Sequence, residues 1–475
     1  MFKLSNHRVP ALALLTAFTL SACAIGPDYA RAPVDLPEQY PAAQNVDTQL
    51  PLAVKNVSAQ WWQGFNDDVL NQMETQALAY NHDLAQASAR VTEAAAQARI
   101  ARNGLLPQVN ASGTATRGQN AETIYGANDV ADAYHVGATL SWELDVWGKL
   151  RRTNESARAA YLASRYTRDA LQLSLTAQVA QTYFQLRALD ASLDMTRKTL
   201  VSREQSLKLQ QARFNAGYLS QLEVSQAVAE LASAKLSAEQ LALSIKTTET
   251  ALAVLLGQAP RTFTDANPRG LAVAQLLNQA QMPRELPANL LLRRADLASA
   301  EQQLIAANAN IGVARAAYFP SVSLSASAGS QGITASQLFS GPAAAWSFVG
   351  NLAAPIFNFG TTGAQVKVAN ARQQQALAAY QKAIQVAFKE AFDASNTQIS
   401  TQAQLSDARE QMNAAQKALK LVDLRYEAGY SGYFELLDAQ RNAYATQLAL
   451  INIQLAQLDA QVGLFKALGG GWVAD

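Results

Sequence analysis

The chain is written twice, and that duplication restricts its fold more than any other feature. Ala101-Arg102, followed by Leu106-Pro107-Gln108-Val109, returns 213 residues later as Ala314-Arg315, followed by Phe319-Pro320-Ser321-Val322. Asp83-Leu84-Ala85 returns at the same offset as Asp296-Leu297-Ala298. Leu144-Asp145-Val146-Trp147-Gly148 returns 212 residues on as Ile356-Phe357-Asn358-Phe359-Gly360. Arg213-Phe214-Asn215-Ala216-Gly217-Tyr218 returns as Arg425-Tyr426-Glu427-Ala428-Gly429-Tyr430, and Leu256-Gly257 and Leu468-Gly469 close the two halves.

Each half obeys one grammar. A helix of moderate length ends near Arg102 or Arg315 and is stopped by a proline, which lacks the backbone donor a helix needs. Two segments of alternating polarity follow, 108–117 and 134–147 in the first half, 321–330 and 345–359 in the second. Tyr134, Val136, Ala138, Leu140, Trp142 and Leu144 fall on one face of the second segment. Period-two patterning over about ten residues is the mark of a membrane-barrel strand. Gly118–Asp132 and Gln331–Ala344 read as exposed loops joining each pair.

A long stretch without Pro or Gly then runs from Lys149 to Ala216, and its counterpart from Ala364 to Ala428. Some 65 residues of helix measure about 98 Å, against about 30 Å for a hydrocarbon core. Val179, Leu186, Leu193, Leu200, Leu207 and Phe214 recur every seven residues, as do Leu405, Met412, Leu419 and Tyr426. Tyr444, Ile451, Leu458 and Phe465 continue the habit after the second Ala-Gly-Tyr turn. A strict seven-residue seam asks for supercoiled helices, so each half ends in an antiparallel coiled hairpin.

The first residues carry a second message. Lys3, His7 and Arg8 precede a short apolar run from Ala11 to Leu20, and Leu20-Ser21-Ala22-Cys23 follows. The run is too short to span a bilayer and reads as a secretory signal, with Cys23 in the position that bacterial lipoproteins acylate. Each buried CH₂ of an acyl chain contributes about 0.8 kcal/mol, so two or more chains hold a protein firmly on a membrane. No later stretch has about 18 uninterrupted apolar residues, so any crossing of a bilayer falls to the strands. Four strands cannot close a barrel, and an open sheet in lipid leaves unpaired backbone groups. Copies of the chain must complete it. Two give eight strands and three give twelve, and the pattern itself favours neither.

The residues quoted resemble the TolC/OprM outer-membrane efflux proteins, in the lipoprotein branch, over nearly the whole chain. Cys23 with Gly26-Pro27-Asp28-Tyr29 and Pro33, Trp61-Trp62 with Phe65 and Asp67, Trp142-Glu143-Leu144-Asp145 with Trp147-Gly148, and the turn at residues 425–430 carry the likeness. Ala24, not Asp, after the cysteine implies sorting to the outer membrane in lipoproteins of this kind. The resemblance implies a mainly α protein with membrane β: a homotrimer whose twelve-stranded β-barrel stands on a twelve-helix α-barrel in the periplasm. It implies a periplasmic adaptor and an inner-membrane transporter as partners.

On that reading the chain divides into a signal peptide 1–22, a lipid-anchored extended segment 23–64, a first repeat 65–257 with its hairpin at 149–257, a linker 258–289, a second repeat 290–468 with its hairpin at 362–468, and a tail 469–475. The linker is expected to form a belt at the waist. The resemblance places a periplasmic gate at Tyr426, Glu435 and Asp438, and adaptor contacts at Gly217, Tyr218 and Ser220 on one tip and Gly429, Tyr430 and Ser431 on the other. Glu435 and Asp438 are three apart and share a helix face. Core packing also explains Tyr426, a solvated helix surface also explains the two carboxylates, and turn-making also explains the glycines. Related gates carry an arginine where this chain has Ser431, leaving Arg425 and Arg441 as substitutes.

Composition removes other classes. Net charge is +1 with 16% charged residues, which leaves no basic field for nucleic acid. One cysteine and three histidines, His7, His82 and His135, provide no cysteine- or histidine-built metal site. Neither a phosphate loop nor a nucleophile elbow is present, so neither enzyme nor cofactor is expected. The remaining rival is a lipid-anchored coiled-coil scaffold without a pore.

Overall fold

The computed structural model describes residues 24–31, 60–119, 130–260, 268–277, 294–339 and 344–471. The expected signal peptide, Cys23, most of the extended segment and parts of the linker and loops lie outside the described residues. After a 3-10 turn at Trp61–Phe65 come α1 (Asp68–Tyr80), α2 (His82–Asn103), β1 (Gln108–Gln119), β2 (Val130–Leu144), α3 (Lys149–Asn215) and α4 (Gln221–Leu255). A single helical turn, α5 (Val273–Leu276), lies in the linker. The order then repeats as α6 (Ala295–Ala316), β3 (Ser321–Gly332), β4 (Ala344–Ala353), α7 (Thr361–Glu427) and α8 (Tyr433–Ala467). The duplication extends to length: α3 and α7 both have 67 residues, α4 and α8 both 35.

The chain forms two compact units. Met1–Val34, Arg90–Arg165 and Ser299–Gln381 make the first, which holds one antiparallel sheet in the order β1-β2-β3-β4. Its registers put like with like. Val109 lies opposite Leu140, Leu140 opposite Ala326, and Val322 opposite Leu352. One face is therefore apolar in all four strands. The other carries Asn110, Thr139, Ser325, Ser327 and Ser347, with Ser327 and Ser347 hydrogen-bonded at 2.8 Å. Both edge strands are exposed along their whole length.

Strand limits differ from the sequence expectation at 134–147 and 345–359. β2 stops at Leu144 and β4 at Ala353. Alternation continues past both points, but helix-starting chemistry takes over. Asp145 accepts from the Leu150 and Arg151 amides at 2.8 and 3.0 Å, capping α3 with a carboxylate. Gly148 and Gly360 then turn the chain with φ of +78° and +82°. At the other ends the ladders run on, to Gln119 in β1, back to Val130 in β2 and to Gly332 in β3. The moderate helix expected before Arg102 is broken in two at Asn81. Its side chain accepts from the Leu84 amide and donates to Leu255 O, both at 3.0 Å.

Asp35–Ala89, Tyr166–Ala298 and Lys382–Asp475 make the second unit. Its core is the coiled seam, widened by aromatic residues preceding α1. Val179, Leu186, Leu252 and Leu458 are fully buried. Trp61 stacks on Phe465 at 5.4 Å, and Phe65 meets Phe184 at 4.9 Å. Farther along the seam Leu200, Leu207 and Phe214 are only half-buried, as are Leu405, Met412, Leu419 and Tyr426. Among the described residues α8 alone is long and apolar enough to cross a membrane by length and composition. Half of that stretch is buried against other helices, which makes it a core element of its hairpin.

Candidate functional site: the two helix tips and the N-terminal strap

The tips begin as local chemistry. Both helix pairs reverse through a glycine in the left-handed region, Gly217 at φ +78° and Gly429 at φ +79°. The Gly217 amide bonds Phe214 O and the Tyr218 amide bonds Arg213 O; Gly429 and Tyr430 repeat this on Tyr426 and Arg425. Tyr218 and Tyr430 stand out from the turns, 81% and 79% exposed.

After the glycines the tips differ. Ser220 caps α4, accepting from the Leu222 amide at 3.2 Å, while Glu223 reaches back to the Ser220 amide at 3.1 Å and its hydroxyl. The residue at the cap of α8 is Gly432, with no side chain to accept. Ser431, the expected counterpart of Ser220, falls one position short, and its buried hydroxyl has no partner among the described residues. The second tip is thus the weaker by one cap, worth about 1 kcal/mol when Ser becomes Ala and a few tenths when it becomes Gly.

Tyr426 packs through its ring and bonds through its hydroxyl. Its ring packs with Tyr433, Leu437, Ala227 and Leu207. Its hydroxyl accepts from Arg213 at 2.7 Å and meets the Gln210 amide at 3.2 Å, with the Arg213 guanidinium 5.1 Å over its ring. Glu435 and Asp438 are not part of this knot. Both are exposed on α8. Glu435 has Arg425 at 3.9 Å, a loose surface pair. Arg441 is committed elsewhere, to Glu230 of α4.

Sequence reading missed a polar stripe beside the apolar seam. Thr196, Arg203 and Gln210 recur every seven residues on α3, each three residues after a seam position. Thr196 bonds the Tyr444 hydroxyl at 2.8 Å, Arg203 bonds Gln440 and lies 3.4 Å from Glu230, and Gln210 meets Tyr426. Arg203 is buried, and desolvation lowers its pKa from the usual value. Glu230 takes both Arg203 and Arg441, joining the two hairpins. The seven-residue spacing was legible; its polarity concealed it.

In the first unit, Ala24–Arg31 lies as a strap that leads straight from Cys23. The Ile25 amide donates to Trp147 O at 3.1 Å, Arg152 to Asp28 at 2.6 Å, and Asn308 to Pro27 O at 2.9 Å. Gly26 and Gly312 touch through bare backbone: a Cβ on Gly312 would sit 2.6 Å from Ile25 O. Tyr29 and Arg31 both reach Glu301, at 3.0 Å and at 2.7 and 2.5 Å. Burial works to raise the Glu301 carboxyl, but the hydrogen bonds from Arg31 and Tyr29 outweigh it and hold its pKa below the usual range.

Comparison with known proteins agrees with this geometry. The family model described as "Outer membrane efflux protein" matches residues 75–258 and 286–470, one block for each half. A probable efflux pump outer membrane protein, TtgC of Pseudomonas putida, is 36% identical, with 96% of this chain and 94% of that protein covered. A probable outer membrane lipoprotein, SilC of Salmonella typhimurium, is 32% identical over all of both chains. Among solved structures, the outer-membrane channel OprN matches at 31% identity and TM-score 0.86, covering 95% of this chain and all of that one. The open state of MtrE from Neisseria gonorrhoeae matches at 32% and TM-score 0.83, covering 95% and 99%. Both halves are matched and the likeness runs from end to end, so the chain belongs to the outer membrane efflux protein family.

Proposed function

We propose that the chain is the outer-membrane exit duct of a tripartite efflux pump, passing small molecules from the periplasm to the exterior. One observation carries this reading: a four-stranded sheet with one apolar and one polar face, bare at both edges, continues into helices about 100 Å long. The apolar face suits lipid and the polar face a wet lumen. As a homotrimer the sheet becomes a twelve-stranded barrel and the helices a periplasmic tunnel. Cys23 carries the lipid that holds the protein at the outer membrane. Tyr426, Glu435 and Asp438 serve the periplasmic gate. Gly217, Tyr218, Ser220, Gly429, Tyr430 and Ser431 meet a periplasmic adaptor that links the duct to an inner-membrane transporter.

The test is single-channel recording of detergent-purified protein in planar bilayers. A duct gives a small cation-selective conductance that rises when Glu435 and Asp438 are changed to Gln and Asn. Absence of any conductance, with a protein soluble in plain buffer once the lipid is removed, selects the poreless scaffold instead.

A further inference from the structure

The two halves differ most at the point where strand passes into helix. In the first half Trp147 is covered: its ring stacks on Phe319 at 4.8 Å and its indole N–H donates to Pro320 O at 2.7 Å. The equivalent in the second half is Phe359, which is 98% exposed. It also sits at φ +49°, a conformation that residues other than Gly rarely adopt. An aromatic ring held in a costly conformation and left bare is a contact awaiting its other side.

The sheet tells what that other side is. β1 and β4 are edges whose outward backbone groups have no partner strand among the described residues. The duplication acts on the register as well as on the fold. Moving the β1–β2 pair Val109 and Leu140 forward by the repeat offsets of 213 and 212 gives Val322 and Leu352, which is the pair that β3 and β4 form. The same operation on the middle ladder maps β2 onto β4 and β3 onto β1. The β2–β3 pair Leu140 and Ala326 becomes Leu352 and Gly113, and Ser141 and Ser325 becomes Ala353 and Ser112. Trp147 becomes Phe359, and Phe319-Pro320 becomes Leu106-Pro107, where Leu106 is exposed.

We propose that a second copy of this chain closes the sheet in one register, with Leu352 opposite Gly113 and Ala353 opposite Ser112 of the next copy, and that the Leu106-Pro107 corner of that copy covers Phe359. The inference rests on the duct reading and adds the contact it needs. An independent check is built into the pattern. This register sets apolar Leu352 beside Gly113, on the face shared by Val109 and Ala111. A slip of one residue would set it beside Ser112 or Thr114, on the polar face.

Paired cysteines in the full-length chain test this. Leu352→Cys with Gly113→Cys, and Ala353→Cys with Ser112→Cys, sample both kinds of cross-strand pair and both faces. A Cβ at Gly113 meets only ordinary contacts, the nearest at 3.8 Å, so that substitution is tolerated. Oxidation of outer membranes followed by non-reducing electrophoresis is expected to give dimer and trimer bands for at least one of these pairs. Ala353→Cys with Thr114→Cys, two residues out of register, gives at most a tenth of that yield. Phe359→Cys with Leu106→Cys is expected to link as well. Cross-linking of the out-of-register pair, or of none, in a protein that light scattering still finds as a trimer, overturns the register and leaves the duct reading standing. A monomer by light scattering overturns both.

Discussion

Replacing Tyr426 by Phe removes one hydroxyl and leaves the ring, and so separates latch from packing. Two groups lose a partner. Gln210 is 1% exposed, and an orphaned buried amide costs about 1–3 kcal/mol. Arg213 is half-buried, so water replaces much of what it loses, and its place over the ring is kept. The hydroxyl is therefore worth about 2 kcal/mol per copy, a factor of roughly 30 in any equilibrium that separates α7 from α3 near the tip. If the tip opens by that separation, single-channel records of Tyr426→Phe show longer or larger openings. Tyr444→Phe is the control: its hydroxyl bonds Thr196 at 2.8 Å in the same seam, farther along α8. That variant is expected to lose stability by a similar amount with conductance unchanged. Equal conductance in Tyr426→Phe, Tyr444→Phe and the parent protein, with both variants less heat-stable, would assign Tyr426 to packing alone.

Asp67 is 2% exposed and accepts from the Val69 and Leu70 amides, the Leu271 amide at 2.9 Å and the Tyr183 hydroxyl at 2.7 Å. Asp67→Ala removes a helix cap and orphans two buried donors, an expected loss of about 3–5 kcal/mol in melting of the detergent-solubilised protein, with Asp67→Asn losing less. Glu74 is fully buried with neither carboxylate oxygen bonded among the described residues, and burial pushes its pKa well above the ordinary 4.5. The folded state then holds the proton more tightly than the unfolded one, so stability falls as pH rises from about 4.5 towards the native value, and Glu74→Gln flattens that slope. Gly312→Ala drives a methyl group against Ile25 O and the Arg152 side chain, and trypsin cleavage after Arg31 is expected to quicken at least tenfold while the melting temperature barely moves.

The long elements were legible because their cause is local and repeated. Sixty-seven residues without Pro or Gly in α3, and sixty-four after Gly363 in α7, with apolar residues spaced by seven, leave little choice but a supercoiled helix. The strand ends were not legible at 134–147 and 345–359, because Val146 and Ile356 continue the alternation while Asp145, Gly148 and Gly360 end it. The strap was not legible either: Gly26 and Gly312 are 286 residues apart, and nothing in either neighbourhood announces that two bare backbones will touch. The capping difference between the tips was hidden for a related reason, because Ser431 sits beside the position that matches Ser220. It resembles Ser220 in kind, but the repeat offset carries Ser220 to Gly432.

That last displacement bears on how such a duct moves. The two hairpins began as copies, so a feature present in one and missing from the other marks a departure from the shared design. Phe214 occupies in the first half the place Tyr426 occupies in the second, and a phenyl ring has no hydroxyl to bond. The latch therefore runs one way, from the second tip to Gln210 and Arg213 on the first. The first tip is held by its own capping box, the second by no cap of its own. If the two tips part, the first keeps its capping box, while the second keeps its Tyr426–Tyr433 packing and loses the hydroxyl bonds to Gln210 and Arg213. The same asymmetry reappears at the membrane end, where the first junction keeps Trp147 covered inside its own chain and the second presents Phe359 to the outside. In both places the second half lacks a contact that the first half makes within itself.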